Sequence, residues 1–168
     1  VGKPNYYVEK SLMDRIAIFA DVQNIYYTTR EAYGRQFNYR KLWQKVSSQG
    51  EIVSAFAYAI DRNDPAQRKF QAALEHIGFT VKLKPYIQRS DGSAKGDWDV
   101  GITIDVLDSI DQSDTIILLS GDGDFDLLMQ KVRNKNVRAE SYGVPSLTSD
   151  ALVKSVSQFH PIGTDLLI

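Results

Sequence analysis

Short apolar runs alternate with amphipathic segments along most of the chain. Each run has the length of a buried strand and is bounded by polar or turn-forming residues. The first run, for example, stops abruptly at Asp21. This pattern predicts six strands, at 15–20, 51–60, 79–84, 114–119, 137–142 and 159–162.

The segments between these strands carry helical periodicity or helix-capping signals. Asn38 is a suitable N-cap, and Asp64 followed by Pro65 marks a second helix start that Gly78 would end. In that second helix, Phe70 and Leu74 are expected on the buried face. The predicted helices cover 25–33, 39–46, 65–77, 97–110, a segment ending near 134, and 149–156 with Ser149 as its cap. Residues 85–96 are predicted to form a loop.

Strands that alternate with helices predict an α/β fold, with a mainly parallel sheet and helices on both faces. The chain has 168 residues, which is enough for one domain with a sizeable core. We therefore predict a lead-in over residues 1–14 and a single domain over residues 15–168. In such a sheet, functional sites form at the carboxyl ends of the strands.

Composition narrows the chemistry. The chain contains no cysteine and only two histidines, His76 and His160, which excludes disulfides, zinc–thiolate sites and cysteine nucleophiles and argues against zinc hydrolases. The net charge is −1, so no global field attracts the protein to nucleic acid. No apolar run approaches the roughly 20 residues of a membrane span, and the first residues show no apolar signal region. We expect a cytoplasmic protein without a membrane partner, and homo-oligomerisation is left open.

Acidic residues occur in three groups, each at a predicted strand end or helix start. They are Asp21, with Asn24 three residues later; Asp97 and Asp99; and Asp122, Asp124 and Asp126. If the first and fourth strands are adjacent, the groups converge at one edge of the sheet. Clustered carboxylates repel one another unless a cation is bound or some are protonated. Oxygen ligands without His or Cys favour Mg²⁺ or Mn²⁺.

Each group also has a structural explanation on its own. Asp21 could be a helix cap, and Asp97 and Asp99 suit the N-terminal end of a helix. The third group superficially resembles a calcium loop, but the EF-hand template requires Gly at Leu127 and Glu at Arg133. Asp105 is expected away from the metal-facing side of its helix, and the roles of Asp97 and Asp126 are left open. Convergence of the groups is what favours a metal site.

The motifs together resemble the NYN domain family, a branch of the PIN-like nucleases, over residues 16–159. The resemblance includes a late helix that starts Ser149-x-x-Leu152. It rests mainly on three motifs in this order: Asp21-Val-Gln-Asn24, Lys95-Gly-Asp-Trp-Asp99-Val and Ser120-Gly-Asp122-Gly-Asp124-Phe.

This resemblance implies a Rossmann-like three-layer α/β/α sandwich and a metal-dependent ribonuclease. By motif, the catalytic residues would be Asp21, Asn24, Asp99, Asp122 and Asp124. Asp21, Asp99, Asp122 and Asp124 would hold one or two Mg²⁺ or Mn²⁺ ions, and Asn24 would orient a water or a phosphate oxygen. A divalent metal can activate water for in-line attack on a phosphodiester.

A polyanion also needs basic contacts near such an acidic site. Residues 82–95 offer Lys82, Lys84, Arg89 and Lys95, with Tyr86 available for base stacking. A second basic group contains Arg62, Arg68 and Lys69. The predicted nucleic-acid contacts are Arg62, Lys84, Tyr86, Arg89 and Lys95. The resemblance favours single-stranded RNA as the partner.

Two alternatives stay open. One is an RNA-binding or regulatory module that keeps the fold and the acids without turnover. The other is a phosphohydrolase or phosphotransfer protein with Asp21 as an aspartyl nucleophile. Haloacid-dehalogenase-like enzymes would require Asp-x-Asp where this chain has Asp21-Val22-Gln23. A receiver-like domain would require paired acids before the phosphorylated Asp and a late Lys, and neither can be placed.

Overall fold

The computed structural model describes residues 13–85, 87–88 and 94–168. Eight strands are present in this part of the chain: β1 Arg15–Asp21, β2 Glu51–Asp61, β3 Thr80–Pro85, β4 Ile87–Gln88, β5 Ala94–Lys95, β6 Thr115–Leu119, β7 Arg138–Gly143 and β8 Gln158–Pro161. The six α-helices described there are α1 Val22–Tyr33, α2 Tyr39–Ser47, α3 Pro65–Ile77, α4 Asp99–Ser109, α5 Asp126–Asn134 and α6 Asp150–Ser155.

Six strands form one parallel sheet in the order β3-β2-β1-β6-β7-β8. This arrangement confirms the predicted α/β fold with helices on both faces of a parallel sheet. β1 and β6 are neighbours, as convergence of the acidic groups requires. The chain runs outward from β1 through β2 and β3, then returns to β6, so the strand order reverses at β1. Sites in sheets of this type form at such a reversal.

β1 shows how the core is divided into two layers. Its alternate residues Ile16, Ile18 and Ala20 face one layer, whereas Ala17 and Phe19 face the other. Buried side chains of α1, α2 and α3 close the first layer, among them Ile25, Leu42 and Leu74. Buried side chains of α4, α5 and α6 close the second layer, among them Ile102, Val106, Met129 and Leu152. Burial on both faces explains why β1 and β6 are continuously apolar.

Several predicted helix boundaries are confirmed by their caps. The Asn38 carboxamide accepts a hydrogen bond from Lys41 N, and the Asp64 carboxylate accepts one from Ala66 N. Gly78 ends α3 with φ +137°, and a Cβ there would lie 2.6 Å from the Trp43 ring. Both the backbone conformation and the close ring therefore require glycine.

Other expectations about local structure were wrong. Residues 85–96 are not simply a loop, because β4 and β5 pair antiparallel within it. Two-residue strands are too short to show alternation. Phe70 is 37% exposed rather than buried. Ser149 does occupy the N-cap position of α6 as predicted, although its side chain makes no capping hydrogen bond. None of the described helices combines the length and the apolar content that a membrane span requires.

Candidate metal centre

The predicted acidic groups meet at the carboxyl ends of β1 and β6. Ala20 pairs with Leu119 in the sheet, so the residues that follow, Asp21 and Ser120, lie side by side. α4 begins at Asp99 on the same edge, and its α-helical segment starts two residues later than predicted. The hydrogen bond from the Trp98 indole Nε1 to Ala59 O, at 2.9 Å, fixes this helix start against the end of β2.

Three carboxylates lie close enough to share a cation. Asp99, Asp122 and Asp124 each place an oxygen within 4.8 Å of the others, and the structure brings them together from α4 and from the turn after β6. Opposite ligands of an octahedral Mg²⁺ are about 4 Å apart, so small side-chain rotations are enough to enclose the ion. This donor set fits a hard divalent cation. Asp99 and Asp122 are partly buried and Asp124 is exposed.

Asp21 lies beside this cluster but is held by the protein. Its side chain is buried, and its carboxylate accepts hydrogen bonds from Ser120 Oγ at 3.0 Å and from Asn24 N at 3.4 Å. The second bond caps α1, so that helix begins directly after β1 and earlier than the sequence pattern indicated. The Asp21 carboxylate thus has a structural function beside the acidic cluster.

The electrostatics are those of crowded carboxylates. Burial raises the pKa of Asp21 to about 6, and the negative charges of Asp122 and Asp97 add to this effect. Burial also raises the pKa of Asp99 to about 7, with contributions from Asp122, Asp97 and Asp21. Both carboxyls therefore hold a proton more readily than usual. A bound cation would relieve the same repulsion.

Two side chains from the predicted motifs position the turn after β6. Ser120 Oγ, besides donating to Asp21, accepts a hydrogen bond from Asp122 N at 3.2 Å. The Asn24 Oδ1 atom accepts a hydrogen bond from Gly121 N at 2.9 Å. If Asn24 orients a water or phosphate oxygen as well, that task falls to its NH₂ group. The sequence motif contains Ser120, but its positioning role follows only from this geometry.

The turn itself is closely packed. The Asp122 carboxylate accepts a hydrogen bond from Asp124 N at 2.9 Å, and the carboxylates of both residues belong to the same cluster. A Cβ on Gly121 would lie 2.9 Å from Leu147 O, and one on Gly123 would lie 2.6 Å from Ser149 Oγ. Glycine is therefore needed at both positions because neighbouring atoms fill the space of a side chain.

The other three acids, Asp97, Asp105 and Asp126, lie in different surroundings in the structure. Asp97 is exposed, accepts a hydrogen bond from Asp99 N at 3.2 Å, and lies near enough to Asp21 and Asp99 to raise the pKa of both. Asp126 accepts a hydrogen bond from the backbone at the start of α5. Asp105 forms an ion pair with Lys82, at 2.6 Å, away from the acidic cluster.

The predicted nucleic-acid contacts lie in different surroundings. Lys84 Nζ is 3.1 Å from Asp97 O and lies over the Trp98 ring, so it borders the acidic site. Arg62 lies further away, in a groove between α1 and α3. Tyr86 and Arg89 are outside the described residues, and for Lys95 the structure describes only the backbone, in β5.

Comparisons with known proteins agree with this architecture. A solved structure of a protein of unknown function from Vibrio parahaemolyticus has 51% sequence identity and a TM-score of 0.88, covering 93% of this chain and 97% of that one. The Low amplitude and bright protein LabA of Synechococcus elongatus is 33% identical over 129 residues, which are 72% of this chain and 69% of the relative. The family model described as NYN domain matches residues 15–163. The chain belongs to the NYN domain family.

Proposed function

We propose that this protein is a metal-dependent ribonuclease that hydrolyses RNA phosphodiester bonds at the acidic edge of the sheet. The observation that carries the proposal is the meeting of Asp99, Asp122 and Asp124 within 4.8 Å at the reversal of strand order. Membership of the NYN family, a PIN-like nuclease-type group, supports the same reaction class. We further propose a cytoplasmic location, which the lack of cysteine fits.

The protein side of the mechanism divides into binding and positioning. Asp99, Asp122 and Asp124 would bind Mg²⁺ or Mn²⁺, and Asp21 would add negative charge directly or through water. The ion would activate water and neutralise charge developing on the phosphodiester. Ser120 bonds to both the Asp21 carboxylate and the backbone of the turn at Asp122, and so holds them in fixed relative positions. The acids are therefore arranged before the ion binds.

The buried state of Asp21 disfavours the aspartyl-nucleophile alternative. A nucleophile must reach the phosphorus atom, whereas the Asp21 side chain is only 8% exposed and its two oxygens already accept bonds from Ser120 and Asn24. An RNA-binding module without turnover would have the same fold and acids. Experiment must therefore separate binding from cleavage.

The test is cleavage of an end-labelled single-stranded RNA in Mg²⁺, in Mn²⁺ and in EDTA. We expect cleavage only with metal, and a loss of at least about 100-fold in Asp122→Asn and Asp99→Asn, since each removes a carboxylate that would hold the ion. Asp108→Asn is the matched control, because Asp108 is an exposed acid on the same helix as Asp99.

Metal binding is measured separately by titration calorimetry with Mn²⁺. We expect a site in the wild type and in Asp108→Asn that is weakened in Asp99→Asn. Cleavage that persists in EDTA or in both site variants would refute the assignment. RNA binding and Mn²⁺ binding without any cleavage would support the non-catalytic module instead.

A further inference from the structure

A second surface feature lies next to the acidic site and plays no part in the mechanism above. It is a groove of about 900 Å³ between α1 and the start of α3, closed at its base by the end of β2. Its walls come from elements far apart in the sequence, which is why no motif indicates it. We call it the α1–α3 groove.

The α1–α3 groove exposes aromatic rings. Tyr26 is 44% exposed, Tyr27 50% and Phe70 37%, and all three line the groove. Tyr26 and Tyr27 are adjacent in α1, with ring centroids 5.4 Å apart in an edge-to-face arrangement. Large aromatic side chains grouped at one surface are typical of a binding site, and base stacking is one use of such rings.

The same groove carries cationic side chains. Three cationic residues, Arg30, Arg62 and Lys69, line it, together with one acidic residue, Asp64. The carboxylate of Asp64 already accepts the N-cap hydrogen bond of α3. The guanidinium of Arg30 lies 5.7 Å from the centre of the Tyr26 ring, so a cation and a ring face the groove together. This local positive charge contrasts with the net charge of −1 for the whole chain.

The α1–α3 groove adjoins the candidate metal centre. Gln23, which lines the groove, follows Asp21 by two residues. Ile60, on the groove floor, lies 3.5 Å from the position of a Cβ on Gly96, the residue before Asp97. A chain that lies in the groove would therefore pass close to the acidic edge of the sheet.

We propose that the α1–α3 groove binds single-stranded RNA and leads it to the acidic centre, an inference that rests on the proposed function. Bases would stack on Tyr26, Tyr27 and Phe70, and phosphates would contact Arg30 and Lys69. Paired bases are stacked on each other inside a duplex, so the rings select an unpaired strand. The occupant is a strand with both aromatic and anionic groups, which matches the rings and cations that line the groove.

The stacking part is tested by fluorescence anisotropy of the full chain in EDTA, which prevents metal-dependent cleavage. The probe is a fluorescein-labelled single-stranded RNA of about 12 nucleotides, within the usual site size. Tyr27→Leu should weaken binding roughly 5- to 100-fold because the ring is lost. Tyr27→Phe keeps the ring and should bind like the wild type. Because Tyr27 is half exposed, both variants should keep the wild-type melting temperature.

The charge part is tested by the salt dependence of the same binding. Lys69→Gln should lower the slope of log K against log [salt] by about 0.7, the value for one phosphate contact on a single strand. Lys131→Gln is the matched control. Lys131 is an exposed lysine on α5, and its substitution changes the net charge by the same amount. A blunt duplex of equal length should bind more weakly than the single strand.

The results separate this proposal from the proposed function. Unchanged single-strand binding in both Tyr27→Leu and Lys69→Gln, or a duplex that binds as tightly as the single strand, would overturn the groove even if Asp122→Asn abolishes cleavage. Weakened binding in Tyr27→Leu, with no cleavage in any metal, would support the groove and overturn the nuclease assignment.

Discussion

Replacing Asp21 with asparagine should stabilise the metal-free protein. Without a cation, the buried carboxylate faces the charges of Asp122 and Asp97, and burial together with these charges raises its pKa to about 6. A carboxamide has the same shape and no charge. Its oxygen can still accept from Asn24 N and its NH₂ group can donate to Ser120 Oγ, so no buried partner is left without a hydrogen bond.

The magnitude follows from the pKa difference. A folded-state pKa near 6, against 3.8 for the ordinary group, corresponds to about 3 kcal/mol at pH 8. Because the folded-state pKa is raised, the contribution of Asp21 to stability is fully present below about pH 4 and is lost as the pH rises through 6. The advantage of Asp21→Asn should therefore be only about 1 kcal/mol near pH 4.5 and reach its full value of about 3 kcal/mol at pH 8. For a chain of this size, 3 kcal/mol corresponds to about 6–12 °C in melting temperature.

The assay is urea unfolding of both proteins in EDTA at about pH 4.5, 6 and 8, repeated with millimolar Mg²⁺. Added Mg²⁺ should stabilise both folded proteins, because the ion binds only the folded state. The wild type should gain more, because Asp21 adds negative charge at the ion, so the difference in stability between the two proteins should narrow. Asp114→Asn is the opposite control: hydrogen bonds from Arg15 lower the pKa of Asp114, so this change should destabilise at neutral pH. A variant less stable than the wild type in EDTA at pH 8, or a gap independent of pH, would refute the reasoning.

Two further predictions concern positions around the site and the sheet edge. Gly121→Ala should destabilise the fold by about 1–3 kcal/mol and lower cleavage, since its Cβ would lie 2.9 Å from a backbone oxygen. Gly163→Ala is the control, because a Cβ has room there, and it should change neither the stability nor the cleavage. Equal melting temperatures for the two variants would contradict this prediction. Glu140→Gln should cost about 1–3 kcal/mol in urea unfolding at pH 7, because the buried carboxylate accepts bonds from Arg138 and His160, both at 2.6 Å. Burial alone would raise the pKa of Glu140, but these two bonds lower it. The destabilisation caused by Glu140→Gln should therefore become smaller as the pH drops below about 4.5. A destabilisation that does not change with pH would exclude the two hydrogen bonds as its cause.

The fold was predictable because its signals are local and repeated. β1 and β6 are buried on both faces, so their sequences are continuous apolar runs that stand out from the helices. The caps at Asn38 and Asp64 are likewise local, since each side chain bonds to the backbone within three residues. The β4–β5 pair was missed because two residues per strand give no periodicity.

The site was predictable in outline for a different reason. Asp21, Asp99 and Asp122 each follow or begin an element, and parallel strands bring such positions to one edge. Their individual surroundings were not predictable. Burial of Asp21 depends on contact with Ser120, 99 residues away. The α1–α3 groove was missed because Tyr27 and Phe70 belong to separate helices and Phe70 falls on an apolar helical pattern that indicates a core position.

The acidic centre depends on three non-acidic residues at two junctions. Asn24 and Ser120 join the end of β1 to the turn after β6, through bonds to Gly121 N and to the Asp21 carboxylate. Trp98 joins the start of α4 to the end of β2 by its bond to Ala59 O. These bonds determine the separation of the carboxylates, whereas the carboxylates alone would move apart. Because the junctions act through geometry rather than charge, their loss should weaken metal binding without changing the number of negative charges. The order of elements at this edge, and not the acidic content of any one motif, is what makes a cation site possible.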